Sequence, residues 1–230
     1  MSEAICRVII PALNEEKSIA KVIADIPKAV VVEVIVIDNG SIDNTVAVAQ
    51  AAGATVLVEP ERGYGAACLK GIGYISNQAG KTDIVIFLDG DYSDFPEEIP
   101  DVIAPILKDN SDMVIGSRVL GISEKGSLTI VQKFGNWLSC FLIRLIYQEN
   151  FTDLGPFRAI KYQQLLELNM QDRNYGWTVE MQVKAAKKGL NCTEVPVSYR
   201  NRIGISKVSG TIKGSILAGT KILYTIFRNL

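Results

Sequence analysis

The chain has 230 residues, 48% of them hydrophobic and 21% charged, which is long enough for one large domain whose core needs no disulfide or metal to support it. Its 24 Lys and Arg residues nearly balance its 25 Asp and Glu residues, whereas a dedicated nucleic-acid binder is usually basic. Histidine is absent, which excludes serine–histidine and cysteine–histidine catalysis, histidine-ligated zinc and imidazole as a general base.

Short apolar segments alternate with amphipathic ones through the first half of the chain. The pattern predicts strands over 7–12, 30–37, 54–59, 84–88 and 112–116, and helices over 15–26, 64–78 and 96–110, with another helix ending at residue 52. The run 84–88 is wholly apolar, as is typical of a parallel strand covered on both faces. The alternation predicts a doubly wound α/β fold, with a mostly parallel sheet flanked by helices.

The second half contains fewer strands. We predict a polar loop over 117–129, helices over 131–147 and 178–188, strands over 157–160 and 190–197, and a final helix over 211–227. No repeat or Pro/Ser-rich linker separates the halves, so we expect a single domain over 1–210. Residues 211–230 then form a basic amphipathic C-terminal helix. Such a helix either lies on a membrane surface or packs on protein, and the sequence leaves both open.

Several features indicate a cytoplasmic protein. The four cysteines are far apart and form no CxxC pair, which argues against a zinc or redox site. The chain opens without a signal-peptide pattern, and no apolar run approaches 18 residues. Charge is unevenly distributed, because residues 195–230 contain six basic and no acidic side chains. We therefore expect a cytoplasmic chain with a basic tail on an acidic body.

Polar or Gly-rich turns follow four predicted strands, at 11–15, 38–41, 61–65 and 89–91. Ligands of doubly wound sheets bind beyond the carboxyl ends of the strands, so these turns are candidate binding segments. Asp89 and Asp91 alternate around a glycine, which allows both carboxylates to face one point. Such oxygen ligands suit Mg²⁺ or Mn²⁺ held jointly with a diphosphate. The alternative is a solvated acidic turn.

Two other phosphate-binding patterns fit poorly. Gly80-Lys81-Thr82 ends like a P-loop, but Ile75 stands where the first glycine belongs and the run precedes a strand. The segment 63–68 nearly matches the dinucleotide fingerprint, but Cys68 replaces the last glycine. Its amides, together with Arg62, still suit a phosphate.

Six segments in chain order carry a family resemblance. They are Pro11-Ala12-Leu13-Asn14-Glu15-Glu16, Asp38-Asn39-Gly40-Ser41 with Asp43 and Thr45, Asp89-Gly90-Asp91, Gly116-Ser117-Arg118, Phe151-Thr152-Asp153-Leu154-Gly155-Pro156-Phe157-Arg158 and Arg202-Ile203-Gly204-Ile205-Ser206-Lys207. The first three resemble glycosyltransferase family 2, and the last three resemble its dolichol-phosphate mannose synthase-like branch. The resemblance implies a GT-A fold and inverting transfer from a nucleotide sugar. It also implies that 1–116 bind the nucleotide sugar and 117–210 the acceptor.

The resemblance assigns roles to individual positions. Asp91 is the main metal ligand, with Asp89 near the metal and the ribose. Asn39 stands where the family often has a second Asp, which leaves the base open between uridine and guanosine. The donor-binding set comprises Pro11, Asn14, Glu15, Asp38, Asn39, Arg62, Gly63 and Asp89. The acceptor- or diphosphate-binding set comprises Arg118, Lys133, Arg202 and Lys207, and the catalytic set comprises Asp89, Asp91, Glu180 and Arg118.

The acceptor decides the expected role of Glu180. A saccharide or small-molecule hydroxyl needs a general base, typically worth about 10²–10⁴ in rate, and Glu180 occupies the family's position for one. A lipid phosphate is already anionic and needs none, in which case Glu180 is expected to hold the donor or a cationic neighbour. We expect hexose transfer from a donor of the UDP-glucose or GDP-mannose type to a polyprenyl or dolichyl phosphate, with Mg²⁺ or Mn²⁺. Transfer to a hydroxyl and non-catalytic nucleotide-sugar binding remain alternatives, and peripheral membrane contact and a homo-oligomer stay open.

Overall fold

Strands and helices alternate along the chain in this computed structural model, which describes residues 4–204 and 212–228. The strands are β1 (Cys6–Ala12), β2 (Val31–Asp38), β3 (Thr55–Val58), β4 (Ile84–Phe87), β5 (Met113–Ser117), β6 (Arg158–Lys161) and β7 (Cys192–Pro196). The helices are α1 (Ile19–Asp25), α2 (Thr45–Ala51), α3 (Tyr64–Ser76), α4 (Ile99–Lys108), α5 (Ile130–Tyr147), α6 (Tyr162–Leu168), α7 (Trp177–Lys188) and α8 (Ile212–Arg228). A 3₁₀ turn, Pro96–Glu98, precedes α4.

All seven of these strands form one sheet in the order β3-β2-β1-β4-β6-β5-β7. Neighbouring strands pair in parallel except at β6, which runs antiparallel to both β4 and β5. The predicted doubly wound, mostly parallel sheet is therefore confirmed. Because β6 lies between β4 and β5, the two halves of the chain share one sheet. The division at residue 116 into donor and acceptor halves stays a prediction.

The central strand β4 is apolar because helices cover both of its faces. Val85 and Phe87 belong to the core on the side of α3, α5, α6, α7 and α8. Ile84 and Ile86 belong to the core on the side of α1, α2 and α4. The carboxyl ends of the parallel strands consequently emerge at one edge of a fully covered sheet, where their following turns meet.

Two local predictions differ from the structure. The first helix begins at Ile19 rather than at residue 15, because Asn14 adopts a left-handed conformation with φ 53° and residues 16–18 form a turn. Helix α6 was not predicted, because it follows β6 directly with no Gly, Pro or Asn between them. Such a junction offers no turn signal.

Helix α8 packs against α5 and α7. Thr225 and Ile226 are buried on this side, and the Tyr147 hydroxyl donates a 2.6 Å hydrogen bond to the Ile226 carbonyl. Tyr224 and Phe227 remain exposed on the other side. Within 4–204 and 212–228, no helix combines the length and apolarity needed to cross a bilayer.

Replacing Ile86 by Ala should lower the free energy of unfolding by about 2–5 kcal/mol, because the side chain is fully buried in β4 and its loss leaves a cavity. Urea unfolding followed by circular dichroism measures the change. Ile42→Ala is the matched control, since Ile42 is 91% exposed and should change stability by less than about 0.5 kcal/mol. Equal effects from both variants would contradict the assigned core.

Candidate active site

A cavity of about 1450 Å³ opens at the carboxyl edge of the sheet. The turns after β1, β4 and β5 border it, and α5 and α8 close its other side. The structure brings together there most of the side chains that the sequence analysis selected. These are Pro11, Glu15, Asn39, Arg62, Gly63, Asp89, Asp91, Arg118, Lys133 and Arg202.

Negative charge is concentrated just after β4. One carboxylate oxygen of Asp91 accepts hydrogen bonds from the Ser93 amide at 2.9 Å and hydroxyl at 2.5 Å, and the other lies 2.8 Å from Arg202 Nη1. Burial and the charge of Asp91 raise the pKa of Asp89 to about 6. Burial, with the charges of Asp89 and Asp91, raises the pKa of Asp94 well above its usual range. The cluster is therefore poorly solvated and favours a positive ligand.

A divalent cation fits this cluster. Asp89 and Asp91 offer hard oxygen atoms beside open cavity, and one oxygen of the buried Asp94 accepts no hydrogen bond. The described residues contain no group of three or more His, Cys, Asp and Glu side chains arranged as a metal site. Mg²⁺ and its relatives often use only one or two carboxylates, with phosphate and water completing the shell.

The side chain of Asn39 organises the loop at the donor end of the cavity. Its amide nitrogen donates to the carbonyls of Glu59 and Glu61 at 2.9 and 2.7 Å, and its oxygen accepts from the Gly63 amide at 2.7 Å. Arg62 donates to the Gly40 carbonyl at 2.9 Å. An aspartate at position 39 has no N–H group for the two carbonyls. Asparagine, unlike the aspartate that the family often has at this position, can therefore hold the loop through both carbonyls.

Asn14 and Asp38 lie next to the cavity but do not line it. Asn14 accepts from the Ile42 amide at 2.8 Å, and the Asp38 carboxylate accepts from the amides of Gly40 and Ser41. Both side chains stabilise the turn between β2 and α2, and their roles as donor-binding residues stay predictions. The N-cap of α1 is Ser18, so Asn14 lies outside the helix.

Arg118 is fixed by Asp153 at the wall of the cavity. Its guanidinium makes two hydrogen bonds to the carboxylate, at 2.8 and 2.7 Å, and its backbone amide adds a third at 2.8 Å. Burial alone lowers the pKa of Arg118, but the hydrogen bonds and charge of Asp153 outweigh it and raise that pKa. Arg158, an alternative partner for Asp153, instead donates to the carbonyls of Gly155 and Thr178.

Glu180 does not line the cavity. It is a buried residue of α7 whose carboxylate accepts hydrogen bonds from the amides of Gln171 and Asp172, in the segment before that helix. The same carboxylate pairs with Lys184 at 2.8 Å. Its side chain thus faces the segment before α7 and not the cavity, and its role as a base or donor ligand stays a prediction. Lys207 lies outside the described residues.

Other residues that line the cavity escaped the sequence analysis. Tyr64 lies beside Asp89, and burial followed by the Asp89 charge raises the pKa of Tyr64 well above its usual range. Tyr199 stacks near Arg118, with 5.0 Å between the guanidinium carbon and the ring centre. The position of Tyr199, three residues before the candidate site residue Arg202, was the only sequence feature that could have indicated it. No local pattern marked Tyr64, since a tyrosine beginning a helix is ordinary.

One face of α5 is apolar and exposed. Phe134 and Trp137 are 60% and 59% exposed, and the Trp137 ring stacks on Phe141 with 5.8 Å between centroids. Ile130 and Leu145 extend the same stripe at helical spacing. Three of the five residues also line the cavity. The apolar stripe (130, 134, 137, 141 and 145) therefore runs from solvent into the site, and contiguous exposed apolar surface of this kind marks an interaction site.

Comparisons with known proteins agree with the fold. The model of Glycosyl transferase family 2 matches residues 7–167. An uncharacterized glycosyltransferase of Mycobacterium tuberculosis is 36% identical over 214 residues, covering 92% of this chain and 93% of that protein. The UDP-N-acetylglucosamine–dolichyl-phosphate N-acetylglucosaminyltransferase of Methanococcus voltae is 28% identical, covering 98% of this chain and 96% of that protein.

A solved structure is also similar. Glucosyl-3-phosphoglycerate synthase of Mycobacterium tuberculosis, in complex with Mn²⁺, uridine diphosphate and phosphoglyceric acid, has a TM-score of 0.77 at 21% identity. The similarity covers 98% of this chain and 78% of that one. At this identity the comparison shows the fold alone, and it confirms the predicted GT-A type.

Replacing Asp89 by Asn should stabilise the metal-free protein at pH 8 by about 1–3 kcal/mol. An ordinary Asp ionises near pH 4, whereas folded Asp89 has a pKa of about 6. Its ionisation therefore lowers the free energy of unfolding. This destabilisation is absent below pH 4 and fully present above pH 6. Urea unfolding in EDTA at pH 8 and pH 4.5 measures the gain, which should shrink at the lower pH. The exposed Asp109→Asn is the control, and an equal gain at both pH values would refute the assignment.

Proposed function

The chain belongs to glycosyltransferase family 2, and from this premise we propose that it transfers a hexose from a nucleotide sugar to a polyprenyl phosphate with the help of Mg²⁺ or Mn²⁺. The observation that carries the proposal is the apolar stripe of α5, which joins solvent to a cavity holding both acidic and cationic side chains. A nucleotide sugar suits the acidic, cation-binding end. A lipid phosphate suits the opposite, apolar and basic end.

The donor end supports a nucleotide diphosphate. Asp89 and Asp91 would hold the divalent cation, and Arg62 with the amides around Gly63 borders the same space. When bound, the cation neutralises charge on the diphosphate as it leaves. The structural relative named above was crystallised with Mn²⁺ and uridine diphosphate, which agrees with this choice of ligands. The base and the sugar remain for experiment.

The carboxylates of the cavity support a phosphate acceptor. Four acidic residues line it among the described residues: Glu15, Asp89, Asp91 and Asp153. Asp89 and Asp91 are assigned to the cation, and both oxygens of Asp153 are bound by Arg118. Glu15 lies at the donor end, where its carboxylate accepts from the Ser18 hydroxyl at 3.0 Å. This arrangement suits an acceptor that arrives already deprotonated, and a polyprenyl phosphate needs no general base.

The proposed reaction is a direct displacement. An oxygen of the acceptor phosphate forms a bond to the anomeric carbon while the bond from that carbon to the diphosphate oxygen breaks. The nucleoside diphosphate departs with the electron pair of the broken bond, and the configuration at the anomeric carbon inverts. Arg202, 2.8 Å from Asp91, and Arg118 supply fixed positive charge close to where negative charge shifts.

The basic end offers further cations to the acceptor. Lys133 and Arg144 are exposed on α5, line the cavity and flank the apolar stripe. A prenyl chain that covers the stripe would stabilise the complex by about 1.5–3 kcal/mol for each large apolar side chain that it removes from water. The dolichyl-phosphate relative in Methanococcus voltae is named for such an acceptor. We therefore place the protein in the cytoplasm, peripherally on the membrane face, and leave its oligomeric state open.

The function is tested by incubating the protein with a panel of UDP- and GDP-sugars, Mg²⁺ or Mn²⁺ and a short polyprenyl phosphate, with products read by mass spectrometry. One donor should yield a glycosylated lipid phosphate. Asp91→Ala should reduce the rate by about 10²-fold or more, because a group that holds developing charge is removed. Asp101→Ala, on the exposed side of α4, is the matched control and should keep full activity.

Other outcomes identify the alternatives. Transfer to a soluble saccharide or phosphorylated small molecule, with no lipid product, would replace the polyprenyl acceptor by a hydroxyl acceptor. Donor binding with neither transfer nor slow hydrolysis would indicate a non-catalytic nucleotide-sugar-binding protein. Full activity of Asp91→Ala would remove the proposed cation ligand.

Replacing Trp137 by Ser should raise the KM for polyprenyl phosphate by about tenfold, because the ring loses its apolar contact with the prenyl chain. The Kd for nucleoside diphosphate should stay unchanged, since Trp137 belongs to the stripe of α5 whereas the proposed cation ligands follow β4. Leu107→Ser is the control, as Leu107 is 53% exposed on α4 at the other face of the sheet. An unchanged lipid KM in Trp137→Ser would contradict the proposed role of the stripe.

A further inference from the structure

The loop between α6 and α7, residues 169–176, lies directly on the backbone of the donor loop, residues 61–65. A Cβ atom on Gly63 would lie 2.0 Å from the Arg173 carbonyl oxygen, and one on Gly65 would lie 1.9 Å from the Asp172 carbonyl oxygen. Such distances are shorter than any real contact. The two glycines therefore allow the two loops to touch through their main chains.

Specific bonds join these loops. The Ala66 amide donates to the Arg173 carbonyl at 2.9 Å, and Arg173 Nε pairs with Glu61 at 2.5 Å. Asn174 and Tyr175 of the same α6–α7 loop line the large cavity. The α6–α7 loop is thus both a support for the donor loop and a wall of the site.

Glu180 holds the start of the α6–α7 loop from behind. Its carboxylate accepts from the amides of Gln171 and Asp172, at 3.1 and 2.7 Å. Lys184 bridges this carboxylate and the Asn169 carbonyl, at 2.8 and 2.6 Å. Glu180 is therefore a positioning residue that acts on the cavity through the loop.

Asp172 divides its two carboxylate oxygens between this loop and α8. One oxygen accepts from the amides of Asn174 and Gly176 at 2.8 and 3.1 Å. The other lies 2.9 Å from the Lys221 ammonium of α8. The Asp172 side chain is only 6% exposed, so Lys221 is the counter-charge of a nearly buried carboxylate. Removing one partner of such a pair leaves an uncompensated charge.

Helix α8 also reaches the apolar end of the cavity. Ile222 and Leu223, the two residues after Lys221, line it, and α8 packs on α5, which carries the apolar stripe. One turn of α8 therefore contacts the cavity through its apolar side chains and the α6–α7 loop through its ammonium group. The turn is anchored to the domain by the buried Thr225 and Ile226.

We propose that Lys221 is a positioning residue for nucleotide-sugar binding, acting through Asp172 and the α6–α7 loop on the donor loop. The docking of α8 on the domain and the binding of nucleotide at the donor loop are then thermodynamically coupled. By linkage, a nucleotide that orders the donor loop also strengthens the docking of α8. The proposal rests on the proposed function for the identity of its ligand, but the contacts between the loops do not depend on that identity.

The simpler reading is that Lys221 only fastens α8 to the domain. In that case its loss loosens α8 and leaves the amides of the donor loop unchanged. Amide hydrogen exchange separates the two readings, because it reports each segment by itself. The Ala66 amide, which donates to Arg173, is the most direct probe of the donor loop.

The test compares the wild type with Lys221→Met, which keeps the aliphatic stem and removes the charge. Lys221→Arg should restore wild-type behaviour, and Lys108→Met is the matched control on the exposed end of α4. In Lys221→Met without ligand, the Ala66 amide and the α6–α7 loop should exchange faster. The Kd for UDP or GDP with Mn²⁺, measured by calorimetry, should rise about fivefold or more. Nucleotide should slow exchange in α8 of the wild type and not in the variant.

Unchanged exchange at Ala66 in Lys221→Met, or faster exchange confined to α8, would overturn the proposal. If Lys221→Met unfolds, Lys221→Gln keeps a donor for Asp172, and the same exchange criterion then decides. If the wild type binds neither nucleotide, the proposed function fails. The exchange measurement on the ligand-free protein would still decide whether Lys221 positions the donor loop.

Discussion

Desolvated negative charge after β4 is the constraint on which the rest of the site depends. The strand is central and covered on both faces, so the turn that follows it buries Asp91 and Asp94 and leaves Asp89 half-buried at the cavity wall. Carboxylates in such surroundings need cations or protons. Arg202 supplies one cation directly to Asp91. Arg202, from the basic C-terminal region, is thus brought against the acidic turn.

The cations of the site fall into two groups with different physical roles. Arg118 and Arg158 are held by hydrogen bonds to protein acceptors and shape the wall between β5 and β6. Lys133 and Arg144 are exposed beside the apolar stripe of α5. The first group provides fixed positive potential, and the second is available to an anionic ligand. In a chain without histidine, guanidinium and ammonium groups therefore supply the positive charge of the cavity.

Sequence patterns located the sheet and the acidic turn because both depend on local chemistry. An apolar run between helical segments predicts a covered parallel strand, and polar turns after such strands meet at one edge. The orientations of Glu180 and Asp38 could not be predicted in this way, because resemblance assigns a residue type to a position and does not say where its side chain points. Both carboxylates accept backbone amides of their own loops. Backbone partners distant in sequence are invisible to periodicity.

The sequence by itself determined the α/β class, the order of most elements and the candidate cation ligands, since hydrophobic period, turn residues and carboxylate spacing are written along the chain. Tertiary structure alone decided that β6 enters the sheet antiparallel between β4 and β5, and that Arg118 pairs with Asp153. It also decided that Lys221 reaches Asp172. These are contacts between segments far apart in sequence. Their formation depends on how the layers pack, which no local pattern records.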